Sequence, residues 1–161
     1  MMNRICKLAI CLLLLQLPAL ALCKTTVSRT GEDCTLSNKH VEAVFSAEKA
    51  FGIKKLVLGG CSVAPEGQNA QPWSLVYKGP QGENPELLPE HAVYEGVEAR
   101  DDAGAKTLVF TWQLTLDYSS VKYPVRMYVT LPDDGELLQW NLEADLPAGW
   151  MVTEVKLPRN V

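Results

Sequence analysis

The stretch that most constrains this chain is residues 107–116, in which apolar side chains occupy every second position. The apolar set is Leu108, Phe110, Trp112, Leu114 and Leu116, and the positions between hold Thr107, Val109, Thr111, Gln113 and Thr115. Successive side chains of a β-strand point to opposite faces, so this pattern predicts a strand with one buried and one wetter face. The chain must therefore build a sheet that packs on one side.

The segments that follow continue the pattern and predict a meander. The turn Pro132-Asp133-Asp134-Gly135 separates two alternating segments, and a four-residue loop there pairs Met127 with Trp140. Pairing Leu116 with Tyr123 in the preceding hairpin sets Trp112 beside Met127. The sequence therefore predicts a row of Trp112, Met127 and Trp140 across three strands, packed in the core.

Further short strands are predicted at residues 41–45, 53–58, 73–77, 92–100 and 150–157, separated by glycine- and proline-containing turns. In the strand at 92–100, pairing Arg100 with Ala105 places Val93 and Val97 on the core face but also Glu95 between them. A β-bulge at Gly96 would relieve this conflict. Many short strands with little or no helix predict an all-β, antiparallel, meander-rich β-sandwich over residues 34–161.

The first 21 residues have the pattern of a signal peptide. Arg4 and Lys7 precede an apolar run, and Ala19-Leu20-Ala21 fits a cleavage site. Residues 22–33 are polar and predict a short irregular tether. Cleavage removes two of the 15 basic residues and none of the 19 acidic ones, which leaves a net charge of −6. An acidic domain without a basic stripe argues against nucleic acid as a partner.

The remaining cysteines are Cys23, Cys34 and Cys61. The leader predicts export to the periplasm or the extracellular space, an oxidising environment, and there we expect a Cys34–Cys61 disulfide. Cys23 lies in Leu20-Ala21-Leu22-Cys23, which resembles a bacterial lipobox except at Leu22. Lipidation of Cys23 would make the protein a cell-surface lipoprotein, and only then would a membrane be a partner.

The sequence offers no pattern of catalytic or metal-binding residues. His40 and His91 are the histidines, and neither has neighbouring ligands at the spacing of a metal site. The chain lacks a Gly-x-Ser-x-Gly elbow and a glycine-rich phosphate loop. Asp101-Asp102 and Asp133-Asp134 lie in predicted tight turns, where aspartate is favoured for structural reasons. We therefore predict no catalytic residue, no metal and no cofactor.

Aromatic and polar residues instead suggest carbohydrate binding, because sugars stack their C–H faces on flat rings rimmed by polar groups. If Met151, Val155 and Leu157 face the core, Trp150 points outward. Trp73, at the mouth of a strand, could face either way. The predicted carbohydrate-binding residues are Trp150, Tyr128, Arg126, Gln139 and Asn141. The competing interpretation is a sheet face that is solvated or covered by another domain.

Three segments together resemble a known family. They are the strand 36–45 containing Asn38, the strand beginning Pro72-Trp73-Ser74-Leu75, and the meander that runs from Tyr123 to Arg159. The set is similar to the N-terminal β-supersandwich domain, of galactose-mutarotase-like fold, in secreted bacterial glycoside hydrolases. The resemblance implies that the catalytic carboxylates lie in a following barrel, and it carries no catalytic residue over to this chain.

Two functions from different classes follow. One is an exported, non-catalytic, carbohydrate-associated β-sandwich, either a sugar-binding module or the front domain of a truncated glycoside hydrolase. Its partners would be a glycan or a downstream catalytic domain. The alternative is a structural or protein-interaction domain of the bacterial cell envelope. An exposed aromatic ring with polar neighbours would distinguish the first from the second.

Overall fold

The computed structural model describes residues 24–46, 52–63, 72–80, 82, 85–116 and 121–157. The predicted signal peptide over residues 1–21 and the candidate lipidation residue Cys23 lie outside the described residues. Within the described ranges, the structure shows no helix with the length and apolar character needed to cross a membrane. The helical content described is one 3-10 turn, Pro89–His91.

The strands, in chain order, are β1 (Thr26–Thr30), β2 (Asp33–Ser37), β3 (Val41–Ser46), β4 (Gly52–Leu58), β5 (Cys61–Ser62), β6 (Ser74–Lys78), β7 (Glu86–Leu87), β8 (Ala92–Asp102), β9 (Ala105–Thr115), β10 (Lys122–Pro132), β11 (Gln139–Ala144) and β12 (Met151–Lys156). They form three sheets in the orders β1-β2-β3-β4-β5, β11-β10-β9-β8 and β12-β6-β7. All of the pairings are antiparallel.

The five-stranded sheet begins earlier in the chain than the sequence predicted. Residues 26–30 form β1, which pairs with β2 along its whole length, so they are not an irregular tether. Most of β1 is exposed, which explains why its residues carry no apolar alternation. The prediction for β3 was right, since Val41, Ala43 and Phe45 are all buried.

One hydrophobic core joins the sheets. The ring of Phe45 on β3 lies 5.5 Å from that of Phe110 on β9 and 6.0 Å from that of Trp140 on β11. Trp73, just before β6, packs edge-on against Trp112 with ring centroids 5.6 Å apart, and both are buried. This packing of antiparallel sheets through a shared core confirms the predicted all-β sandwich.

The predicted register was wrong by two residues in all three hairpins of the four-stranded sheet, and in the first of them Arg100 lies opposite Thr107, not Ala105. Trp112 lies opposite Val125, and Trp140 lies opposite Val129. Met127 therefore lies between Phe110 and Leu142, and the predicted row of Trp112, Met127 and Trp140 does not form. A shift of two residues keeps every side chain on its predicted face, because the side-chain period of a strand is two. Alternation alone therefore could not detect the error.

The β-bulge predicted at Gly96 is present. The register between β8 and β9 shifts between Tyr94 and Gly96, and Gly96 has φ +148°, a conformation that favours glycine. The extra residue reverses the face of the strand before it, so Tyr94 packs against the core and Val93 is 64% exposed. Val93 on the core face was therefore a wrong prediction, whereas Val97 packs against the core as predicted.

Candidate functional site

Four of the five predicted carbohydrate-binding residues share the outer face of the four-stranded sheet. On β10, Arg126 and Tyr128 face Glu143 and Asn141 of β11 directly, and Gln139 is opposite Thr130. We call this surface the polar face; its members are Glu98, Arg100, Gln113, Arg126, Tyr128, Gln139, Asn141 and Glu143. Directly opposite residues have Cβ atoms roughly 5 Å apart, so the side chains of neighbouring strands can act on one ligand.

Tyr128 is the aromatic residue at the centre of this face. Its hydroxyl group donates a hydrogen bond of 2.7 Å to Oε2 of Glu143, and this bond raises the pKa of Tyr128 above its ordinary value, with a further contribution from burial. The guanidinium carbon of Arg100 lies 5.9 Å from the centre of the ring. These two contacts hold a half-exposed ring among charged groups.

Charged and amide groups surround Tyr128. Nη1 of Arg126 lies 3.5 Å from Oδ2 of Asp145, and Arg100 pairs with Glu98 at 3.4 Å. Both pairs are largely solvent-exposed, so each contributes little to stability. Their guanidinium and carboxylate groups remain close enough to water to exchange partners with the hydroxyls of a ligand.

A shallow depression of about 270 Å³ adjoins the bulge of β8 on the same side of the sheet. Its lining includes Glu95, Glu98 and Thr111, with the buried side chain of Val109 among them. Nε2 of Gln113 donates a hydrogen bond of 3.0 Å to Oε2 of Glu95. The bulge thus adds a concave, acidic border to the polar face.

Trp150 is not part of the polar face, and its predicted outward orientation was wrong. Its ring lies 4.7 Å from that of the buried Tyr77 and packs against the core. The residues assumed to face the core, Met151 and Val155, are 58% and 46% exposed. The register of β12 against β6 shifts between Val152 and Glu154, so parity from Val155 does not extend back to Trp150. The structure thus separates Trp150 from the other four residues.

The predicted Cys34–Cys61 disulfide is absent, and both thiols are free. Cys34 is on β2 and Cys61 on β5, with β3 and β4 between them in the sheet. Three strand spacings amount to about 14 Å, whereas a disulfide needs Cα atoms roughly 4.4–6.8 Å apart. Burial raises the pKa of the Cys34 thiol above its ordinary value, so it is a packed core residue.

The structure also shows a cleft of about 820 Å³ that the sequence did not predict. One wall is formed by the start of β3 and the end of β4, and the other by the connection between β10 and β11. We call it the His40 cleft; it is lined by His40, Leu58, Gly59, Pro132, Gly135, Glu136, Leu137, Leu138 and Gln139. The sequence signal that could have indicated it is the long turn after β10, which lies opposite a second turn at residues 38–40.

Within the described ranges, no three His, Cys, Asp or Glu residues are grouped so that they could hold a metal ion. The polar face and the His40 cleft contain carboxylates, amides, guanidinium groups and an imidazole, which are ligand-binding groups in sugar recognition. The fold and these two surfaces therefore define a β-sandwich with one polar, partly concave surface.

Comparison with known proteins finds a relative from Bacteroides thetaiotaomicron that is described as a "Putative glycoside hydrolase". It is 42% identical over 135 residues, which cover 83% of this chain. The matched region is 20% of the relative, so this chain spans about a fifth of that protein's length. No family model matches the chain. No solved structure matches it either.

Proposed function

We propose that this chain is a non-catalytic, carbohydrate-binding β-sandwich domain of a glycoside-hydrolase-related protein, and that the polar face is its ligand-binding surface. The observation that carries the proposal is the position of Tyr128. Its half-exposed ring lies on the outer face of the four-stranded sheet, directly opposite Asn141 and hydrogen-bonded to Glu143. The Bacteroides relative, described as a "Putative glycoside hydrolase", supports carbohydrate as the ligand class.

The chemistry of this face suits a sugar. One face of a pyranose ring presents C–H groups that pack on an aromatic ring, while its hydroxyls need both donors and acceptors. Arg126 supplies donors, Glu143 supplies acceptors, and the amide of Asn141 supplies both. Because the exposed ion pairs of Arg126 and Arg100 contribute little to folding, a ligand can replace them at small cost.

We assign catalysis to a region of a longer protein, outside the residues described here. The relative is about five times longer than the region it shares with this chain. The lining of the His40 cleft contains one carboxylate, Glu136, whereas glycosidases use a pair of carboxylates that flank the bond they cleave. A downstream catalytic domain is therefore the proposed protein partner, and the leader sequence supports export to the periplasm or the extracellular space.

The experiment is a glycan array followed by calorimetric titration of the strongest ligands, with wild type, Tyr128→Ala and Tyr128→Phe. Tyr128→Ala should weaken binding about tenfold or more, which corresponds to roughly 1.4 kcal/mol. Tyr128→Phe keeps the ring and removes only the hydrogen bond from the hydroxyl to Glu143, so its affinity should lie between those of wild type and Tyr128→Ala. Lys78→Ala, an exposed residue at the end of β6 in the three-stranded sheet, is the matched control.

Absence of any glycan binding by folded wild-type protein would contradict the proposal. It would favour the second candidate, a protein-interaction domain, for which there is a specific observation. Met151, Val155 and Val93 are large apolar side chains that are 58%, 46% and 64% exposed. Exposed apolar side chains of this size occur at protein interfaces when they form a contiguous patch.

A further inference from the structure

We infer that the ligand surface continues from the polar face along β11 into the His40 cleft, so that the site takes an extended oligosaccharide and not a single sugar. This inference rests on the proposed function, because it names the size and the path of the ligand that the polar face would bind. It adds a second subsite, formed by His40, Glu136 and Gln139.

Gln139 connects the two surfaces. It lies opposite Thr130 on the outer side of the sheet, and it also lines the His40 cleft. Asn141 follows two residues later on the same face of β11, and Tyr128 lies directly opposite Asn141. Two residues of a strand span roughly 7 Å, so Tyr128, Asn141 and Gln139 already extend over more than one sugar ring before the cleft begins.

The side chain of Asn38 joins the two walls of the cleft. Nδ2 of Asn38 donates to the backbone oxygens of Pro132, Asp133 and Gly135, at 3.0, 3.3 and 2.8 Å. Oδ1 accepts from the backbone N–H groups of His40 and Val41, at 2.8 and 2.9 Å. The turn before β3 and the turn after β10 are therefore fixed relative to each other without a ligand. Such preorganisation lowers the entropic cost of binding.

Thr25 braces the same turn from the other side. Its backbone N–H donates to Oδ1 of Asp133 at 2.9 Å, and its hydroxyl donates to the backbone oxygen of Pro132 at 3.1 Å. Thr25 is 1% exposed, and both of its hydrogen bonds are partly buried. The wall of the cleft that carries Glu136 is thus anchored by two residues that flank strands of the five-stranded sheet, Thr25 just before β1 and Asn38 just after β2.

The lining of the cleft matches the end of a glycan chain. Leu58, Pro132 and Leu137 supply apolar surface for C–H groups, while Glu136, Gln139 and His40 supply acceptors and donors for hydroxyls. Its volume of about 820 Å³ falls within the usual size of a small-molecule site. The side chain of Leu137 is 66% exposed in the free protein, and a bound sugar would cover it.

The test is a chain-length series measured by calorimetric titration on the full chain. The probes are gluco-, xylo-, manno- and galacto-oligosaccharides, each from the monosaccharide to the hexasaccharide. The variants are His40→Ala and Glu136→Gln in the cleft, Tyr128→Ala on the polar face, and Glu90→Gln as a matched exposed carboxylate in the 3-10 turn. A thermal melt of each variant checks that it is folded.

We expect at least one series in which affinity rises about tenfold or more from the monosaccharide to the longer chains, as one added charged hydrogen bond would give. His40→Ala and Glu136→Gln should remove this gain, so that the longer chains bind no better than the monosaccharide. Glu90→Gln should keep the gain, and Tyr128→Ala should weaken binding at every length. Equal affinity for all lengths, or a gain that survives both cleft variants, overturns the inference. If wild type binds no member of any series, the proposed function itself fails.

Discussion

Replacement of Asn38 provides the sharpest test of how this fold positions its cleft. The side chain makes five hydrogen bonds, three from Nδ2 and two to Oδ1, all to backbone groups in partly buried positions. An amide nitrogen carries only two hydrogens, so at least one of them is shared between two carbonyls. The backbone N–H groups of His40 and Val41 need an acceptor, and the three backbone carbonyls of the turn after β10 need a donor. No other side chain of the same size supplies both an acceptor and a donor in these positions.

The magnitude follows from these bonds. A net hydrogen bond contributes about 0.5–1.5 kcal/mol, and a group left unpaired in a buried position costs more. Some of the orphaned carbonyls would reach water because the site is only partly buried. We therefore expect Asn38→Ala to lower the free energy of unfolding by about 2–4 kcal/mol. Asn38→Asp should cost at least as much at neutral pH, because it points a negative charge at three carbonyl oxygens.

The assay is urea unfolding followed by tryptophan fluorescence, with the slope of free energy against denaturant compared between variants. Lys39→Ala is the control, since the exposed Lys39–Asp134 pair at 3.3 Å should contribute less than about 1 kcal/mol. If Asn38→Ala unfolds within about 0.5 kcal/mol of wild type, or if Asn38→Asp is the milder change, Asn38 does not join the two turns as described.

Two further predictions concern the core. Trp112→Ala should lower the free energy of unfolding by about 3–5 kcal/mol, because Trp112 is 1% exposed and contacts the ring of Trp73. Trp140→Ala should lower it by roughly half as much, because Trp140 is half-exposed. Equal losses of stability in thermal melts of the two variants would contradict this difference in burial. Burial, with a smaller contribution from Cys34, raises the pKa of Tyr94 to about 12, and its buried hydroxyl finds no hydrogen-bond partner among the described residues. A raised pKa in the folded state means that the stability from neutral Tyr94 is present below pH ~10 and is lost as the pH rises towards about 12. At pH 7, Tyr94→Phe should therefore leave the free energy of unfolding unchanged or raise it by up to about 1 kcal/mol. Above pH ~10 the variant should lose less stability than wild type. A variant that unfolds more easily than wild type at pH 7 would refute this.

The sequence by itself determined which side chains of the central strands face the core. Leu108, Phe110, Trp112 and Leu114 are all buried, as their alternation predicted, and Arg126, Tyr128, Gln139 and Asn141 share the opposite face. This succeeded because the side-chain period of two is a local property of the backbone. The bulge at Gly96 could also be predicted from local alternation, because the charged Glu95 falls between Val93 and Val97 where an apolar residue is expected.

The tertiary structure decided which residues of different strands lie opposite each other and in which order the strands lie in each sheet. The register of all three hairpins in the four-stranded sheet differed by two residues, and the sequence pattern could not reveal this because a slip of two leaves every face unchanged. Cys34 and Cys61 were wrongly paired because the sequence does not contain the order of strands in the sheet. Trp150 packs inward because the register of β12 against β6 shifts, and no residue type in the sequence indicates that shift. The walls of the His40 cleft are joined by hydrogen bonds from Asn38 to backbone groups 94 and 97 residues away, a contact that local patterns cannot encode.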